Sequence, residues 1–287
     1  MIKTESLYKA YNGENVIKDI TAELSPGKIY GLIGANGSGK TTFLKCLAGI
    51  YRPDSGRAML DDTDIFDNEE IKSRIAYVGD TPEFWKFYTV KRYADYYAAF
   101  YDSFSYERFN ELSERFETDK KSYAGNMSLG QRKKLALSLA LSRDASHLIF
   151  DEPENGMDNE ARVIFRQLIR DTADKGSMIL LSSHDLTNIE GMCDEIIFLD
   201  KGRVIYKNDI DSLLENVSRW TVRSGKLDPG IAVIVEDAGD ISTVIMRGNK
   251  ESTRKILEAA GTEIITNDKV KLIDAYMAYR KEASDER

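Results

Sequence analysis

The sequence predicts an α/β fold around a mainly parallel sheet, preceded by an antiparallel β portion, and three observations carry that expectation. Five short apolar runs bounded by turn or charged residues read as buried strands: KIYGLIG at 28 to 34, RIAYVG at 74 to 79, HLIFD at 147 to 151, SMILLSS at 177 to 183 and EIIFLD at 195 to 200. Helical periodicity at 39 to 49, 129 to 143, 158 to 174 and 185 to 192 separates them, and strands alternating with helices favour parallel pairing. The first 27 residues instead alternate polar and apolar, with turn signals at Asn12-Gly13 and Pro26-Gly27, so they read as antiparallel strands.

Between 84 and 116 the pattern becomes helical, with Tyr93, Tyr96, Tyr97, Phe100, Tyr101 and Phe104 at helical spacings. This stripe reads as the core of a small helical subdomain, part of which can serve as a docking surface for another protein. After about residue 210 the composition shifts again. DIDSLLENV is helical, RWTVRS, GIAVIVED and STVIMRG are strand-like, NKESTRKILEAAG is a capped helix ending at Gly261, and KLIDAYMAYRK is helical. This tail shows no chemistry of its own, and reads as a packing, dimerising or regulatory appendage.

Bulk properties narrow the function classes. With 48 acidic against 40 basic residues and a formal net charge of −8, a broad nucleic-acid-binding surface is disfavoured. The two cysteines, Cys46 and Cys193, have no metal-ligand spacing and fit buried thiols in a reducing compartment. The N-terminus lacks an apolar signal core, and no run approaches the ~20 apolar residues of a membrane-spanning helix. A cytoplasmic chain is expected, reaching the membrane only through a partner.

The most specific motif is GANGSGKTT at 34 to 42, which follows an apolar strand and opens the helix TFLKCLAG. Gly34, Gly37 and Gly39 allow a tight turn, so that amides near Gly39 to Thr42 point at a phosphate from a helix N-terminus. Lys40 is expected to reach the β- and γ-phosphates and the Thr41 hydroxyl to bind Mg²⁺. HLIFDE then brings Asp151 to the C-terminal end of a strand, where ligands of open α/β sheets bind, with Glu152 next. Asp151 is expected to hold Mg²⁺ directly or through water, and Glu152 to orient or deprotonate the attacking water.

A second helix start poses a question. Ser128 followed by Gln131 matches a capping box, yet Arg132, Lys133 and Lys134 put positive charge in the first turns, where the helix dipole favours negative charge. Helical spacing spreads these three side chains in different directions, and they are expected to form a solvated face. The capped end with Gly130 is an anion site in its own right.

The phosphate loop, MSLGQ before a helix, LIFDEP, NGMD and SSHD, in that order and spacing, resemble the ATP-binding cassette (ABC) family over roughly residues 1 to 210. The resemblance is nearest to ATPase subunits of bacterial exporters whose permease is a separate chain, with an importer ATPase as the alternative and a soluble, non-transport ABC ATPase as a more distant one. It implies a P-loop nucleotide-binding domain at 1–210, with a helical subdomain at about 82–142, and an accessory αβ domain at 211–287. It further implies ATP and Mg²⁺ as cofactors and, as partners, a transmembrane permease and a second ATPase subunit, identical or closely related. Asn36, Gly37, Ser38, Gly39, Lys40, Thr41 and Thr42 would surround the nucleotide, with Tyr11 stacking on adenine and Val16 packing beside it. Ser128, Gly130 and Gln131 would meet the γ-phosphate held by the opposite subunit, His184 would act as the switch histidine, and Asn155 to Asp158 would report between subunits. His147 is expected to be structural. Three positions depart from the family pattern: Asp80 stands at a glutamine that touches Mg²⁺ and water, Leu129 at the first signature glycine, and Glu154 at a small hydroxyl residue.

Overall fold

Strands β1 (Ile2–Tyr11) and β2 (Glu14–Leu24) form an antiparallel hairpin across the Asn12-Gly13 turn. In the computed structural model, which describes residues 1–186, 189–223 and 232–285, the chain then enters β3 (Ile29–Ile33) and α1 (Lys40–Leu47). It returns through β4 (Ser55–Leu60) and β5 (Thr63–Asp64) to complete a four-stranded antiparallel sheet in the order β2-β1-β4-β5. The short helix α2 (Glu69–Ser73) leads into β6 (Ile75–Val78).

The helical insertion is two helices, α3 (Val90–Phe100) and α4 (Tyr106–Arg115), each opened by a hydroxyl cap, Thr89 on the Arg92 N–H and Ser105 on the Arg108 N–H. Tyr93, Phe109, Leu135 and Leu139 close a small separate core, whereas Trp85, Phe87, Tyr96 and Phe100 remain exposed. Residues 84 to 89 precede the first helix, because the Thr89 cap sets its start. Then come α5 (Leu129–Leu141), β7 (His147–Phe150), α6 (Asn159–Asp174), β8 (Met178–Ser183), β9 (Glu195–Asp200) and β10 (Arg203–Asp209).

The central sheet runs β10-β9-β3-β8-β7-β6, parallel throughout except for the antiparallel edge strand β10. Every residue of β3, β7 and β8 is buried, which is why these strands read as unbroken apolar runs without alternation. One face packs on α5 and α6 through Leu137, Phe165 and Leu168; the other packs on α1 and the antiparallel sheet through Phe43, Leu44 and Ile17. Each such fully buried side chain contributes about 1.5–3 kcal/mol relative to exposure. Of the helix expected over 185 to 192, residues 187 and 188 lie outside the described residues, and those from Ile189 to Met192 form turns, not a helix.

The C-terminal part is α7 (Ile210–Glu215), β11 (Val217–Arg223), β12 (Val233–Asp237), β13 (Ile241–Arg247), α8 (Lys250–Ala259), β14 (Glu263–Asp268) and α9 (Leu272–Asp285), with an antiparallel sheet ordered β12-β13-β11-β14. The beginning of the strand expected at GIAVIVED and the last residue of RWTVRS lie outside the described residues. Trp220, Val244, Met246 and Leu257 make a local core with α8. On the opposite side α9 packs Tyr276 and Tyr279 against Phe198 of β9, so the tail shares the main core. No helix among the described residues is long and apolar enough to cross a membrane.

Candidate functional site

The phosphate loop leaves β3 at the C-terminal edge of the central sheet and enters α1 at Lys40. Gly34 is obligatory, since a Cβ there would lie 2.4 Å from both the Leu199 carbonyl oxygen and Ser38 Oγ. Gly39, at φ 106, occupies the N-cap without a side chain, so the first-turn amides of α1 remain available to an anion. Lys40 Nζ donates to the Gly34 carbonyl at 2.7 Å and lies 3.9 Å from Glu152 Oε1. Burial lowers its pKa, with the Glu152 and Asp151 carboxylates opposing. A phosphate would exchange these carbonyl contacts for stronger, charge-assisted ones.

Asp151 follows β7 and is 2% exposed, so its carboxylate must be bonded. Thr41 Oγ1 donates to its Oδ2 at 2.7 Å and Ser182 Oγ to its Oδ1 at 2.6 Å. The same Ser182 oxygen accepts the Glu152 N–H at 2.9 Å. Glu152 itself has φ 46, a left-handed backbone that a non-glycine residue holds only under external constraint. His184 Nδ1 lies 2.9 Å from Glu152 Oε2, within hydrogen-bond distance.

A cleft of about 400 Å³ collects Val16, Asn36, Gly37, Gly39, Lys40, Thr41, Thr42, Asp80, Asp151 and Glu152. The structure thus brings together most of the sequence-expected phosphate and metal residues. Ser38 and Tyr11 are not in the cleft lining. Ser38 is buried behind the loop, and the Tyr11 ring, 39% exposed, stands edge-on to Tyr51 at 6.0 Å, with burial raising its pKa. Ser128, Gly130 and Gln131 do not line it either; they open α5 elsewhere, with the expected capping box formed in full.

The cations after that cap correct the expectation of a solvated face. Lys133 has a fully buried side chain: its ammonium donates to Asp80 Oδ1 at 3.2 Å and to the Glu152 carbonyl in a short hydrogen bond, and lies 3.5 Å from the Asp151 carbonyl. Burial lowers its pKa, and Asp80 is the main opposing charge. Lys134 pairs with Asp158 at 2.8 Å, and Asp158 in turn caps α6 on the Ala161 N–H. Successive helix positions turn by about 100°, which sends Lys133 inward while Lys134 reaches the neighbouring loop. Gly130 faces that loop too, for a Cβ would come within 2.3 Å of the Gly156 carbonyl oxygen. Asn155 Nδ2 reaches Asp80 Oδ1 at 3.3 Å.

Glu154, without a role in the sequence reading, is buried and paired in two hydrogen bonds with Arg166 of α6, at 2.7 and 2.9 Å. His147 is structural: its Nδ1 meets Ser146 Oγ at 2.8 Å, its Nε2 is buried without a hydrogen-bond partner, and burial lowers its pKa to about 4. Both cysteines are buried free thiols, and burial pushes the Cys46 thiol up to about 12.

Sequence reasoning missed Ser182 and Lys133 as site residues. Ser182 sits beside Asp151 because β7 and β8 pair with Phe150 opposite Leu181, a register that only the folded sheet sets. Nothing in the local sequence marks Lys133, since its inward direction depends on how α5 rolls against the sheet.

A phosphate loop between a central strand and a helix, with two consecutive carboxylates at the end of a nearby parallel strand, defines a P-loop nucleoside triphosphatase. The family model described as ABC transporter matches residues 17–155. The chain is 30% identical over 285 residues to the ABC transporter ATP-binding protein YtrB of Bacillus subtilis (strain 168), covering 97% of each chain. It is 30% identical over 227 residues to the Nod factor export ATP-binding protein I of Burkholderia thailandensis, covering 75% of this chain and 73% of that one. Its fold matches a solved ATP-binding subunit of an ABC transporter with a TM-score of 0.69 at 28% identity, over 74% of this chain and 91% of the other. The chain therefore belongs to the ABC transporter family as an ATP-binding subunit, an ATP-hydrolysing cassette.

Proposed function

We propose that this chain powers export of a substrate through a separate transmembrane permease, on the cytoplasmic face of the membrane, by ATP-driven closure of two ATPase subunits, identical or closely related. Residues 1–210 serve as the nucleotide-binding domain and 211–287 as its accessory. The observation that carries the reading is the separation of two anion-binding helix ends. The phosphate cleft lies at α1, whereas the capped end of α5 does not line that cleft and has Ser128 and Gln131 exposed. Two copies facing each other would place each α5 end on the other's nucleotide, and differential affinity of ATP for that closed state would drive the permease. A relative named for Nod factor export supports export. The exposed aromatics Trp85, Phe87 and Phe100 of the helical insertion offer the permease an apolar docking surface.

In the closed state Lys40 and the loop amides hold the β- and γ-phosphates, Val16 and Tyr11 flank the base, and Glu152 accepts the proton of the attacking water while His184 fixes its carboxylate. The oxygen donors Thr41, Asp151 and Asp80 suit Mg²⁺. When bound, Mg²⁺ supplies charge neutralisation at the phosphates. Glu152→Gln is expected to keep ATP binding and lower turnover by at least about 100-fold, so that ATP and Mg²⁺ accumulate a dimer measurable by light scattering. Retained turnover, or a monomer under those conditions, would count against the clamp.

A further inference from the structure

Lys133 lies two residues past Gln131, yet its side chain is fully buried beneath the catalytic loop. An ammonium has three donors and no acceptor, and the three oxygens around it are the Glu152 carbonyl, Asp80 Oδ1 at 3.2 Å and the Asp151 carbonyl at 3.5 Å. The backbone of Glu152 is thereby held at both ends, its carbonyl by Lys133 and its N–H by Ser182 Oγ at 2.9 Å. Its φ of 46 is a conformation that persists only where the surroundings impose it. Asp80, nearly half exposed and lining the phosphate cleft, adds a negative charge where the nucleotide brings several more, and Lys133 is the cation paired with it.

We infer that Lys133 is a positioning residue for ATP hydrolysis, tying the start of α5 to the backbone of Glu152 and balancing Asp80 beside the phosphates. The inference rests on the reading of Glu152 as the group that handles the attacking water. The side-chain type matters: methionine fills the space without a donor, glutamine keeps two donors without the charge, and arginine imposes a planar fork on three divergent oxygens. Because Ser128 opens the same helix, a displacement of that helix end reaches the Glu152 carbonyl through one side chain.

The test is steady-state ATPase and equilibrium Mg-ATP binding on the full chain. Lys133→Met is expected to lower kcat at least tenfold while leaving the ATP Kd within about threefold, the split of a residue that orients the reacting groups without holding substrate. Normal kcat in Lys133→Met beside an inactive Glu152→Gln overturns the inference and leaves the Glu152 reading intact; an active Glu152→Gln removes that reading itself. If Lys133→Met does not fold, the charge balance decides. Asp80→Asn combined with Lys133→Gln, a neutral pair, is expected to recover at least about threefold of the kcat lost by Asp80→Asn alone, as coupled neighbours do. Additive losses in that cycle overturn the inference.

Discussion

Ser182 is the side chain that joins the Asp151 carboxylate to the Glu152 backbone. Its hydroxyl donates to Asp151 and accepts from the Glu152 N–H, inside a strand where it is wholly buried. Ser182→Ala leaves a buried N–H and a carboxylate oxygen each short of a partner, at a cost of about 1–3 kcal/mol. A lower urea midpoint and a kcat reduced by at least about tenfold are expected, read from chemical unfolding and ATPase assays. His147 sets a pH dependence. Its folded pKa, about 4, lies below the ordinary 6.5, so between those values the unfolded chain takes up a proton that the folded chain refuses. Stability from this group is therefore complete above pH ~6.5 and is lost as pH falls towards ~4, by on the order of 3 kcal/mol at most. His147→Phe replaces the imidazole by a ring that does not titrate, and should flatten that part of the stability profile in denaturant titrations at several pH values, whatever constant offset the larger ring adds.

At the scale of elements, the decisive contact is between the N-terminus of α5 and the loop from 151 to 158. Lys133, Lys134 and Gly130 all engage that loop, which accounts for cations that the helix dipole alone disfavours. Gly130→Ala would drive a methyl group into the Gly156 carbonyl oxygen, a backbone atom that no rotamer change can move aside. Displacement of the α5 start is expected, with ATPase activity falling at least about tenfold while nucleotide binding at Lys40 persists. An unaffected kcat in that variant would show that the two segments are not fixed to each other.

For the whole molecule, the tail reaches the phosphate loop itself. Tyr276 of α9, wedged against Phe198, accepts the Ala35 N–H through its hydroxyl at 3.1 Å, and Arg280 pairs with the buried Asp200 at 3.3 Å. The C-terminal part is therefore hydrogen-bonded to the loop as well as packed on the main core. Tyr276→Phe removes the acceptor while keeping the ring. A loss of about 1 kcal/mol in loop ordering, or about a fivefold rise in the ATP dissociation constant, is expected by fluorescence titration.

The parallel core was legible in the amino-acid order, because its buried strands are continuously apolar; so were Lys40 and Thr41, which lie in one contiguous turn, and Asp151 and Glu152, which follow one such strand. The same order marked the α5 cap, a hydrogen-bond pattern spanning three residues. Strands β4, β5 and β10 were not legible, since β4 is exposed over its first half, β5 is a two-residue edge and β10 is an edge strand with no buried residue, so none shows a continuous apolar run. That Lys133 turns inward to Asp80 and Glu152, that Ser182 sits beside Asp151, and that Tyr276 reaches Ala35 from 241 residues away emerges from the packed molecule alone. Each of these contacts is fixed by how one element rolls or registers against another, a property of packing that no local pattern encodes.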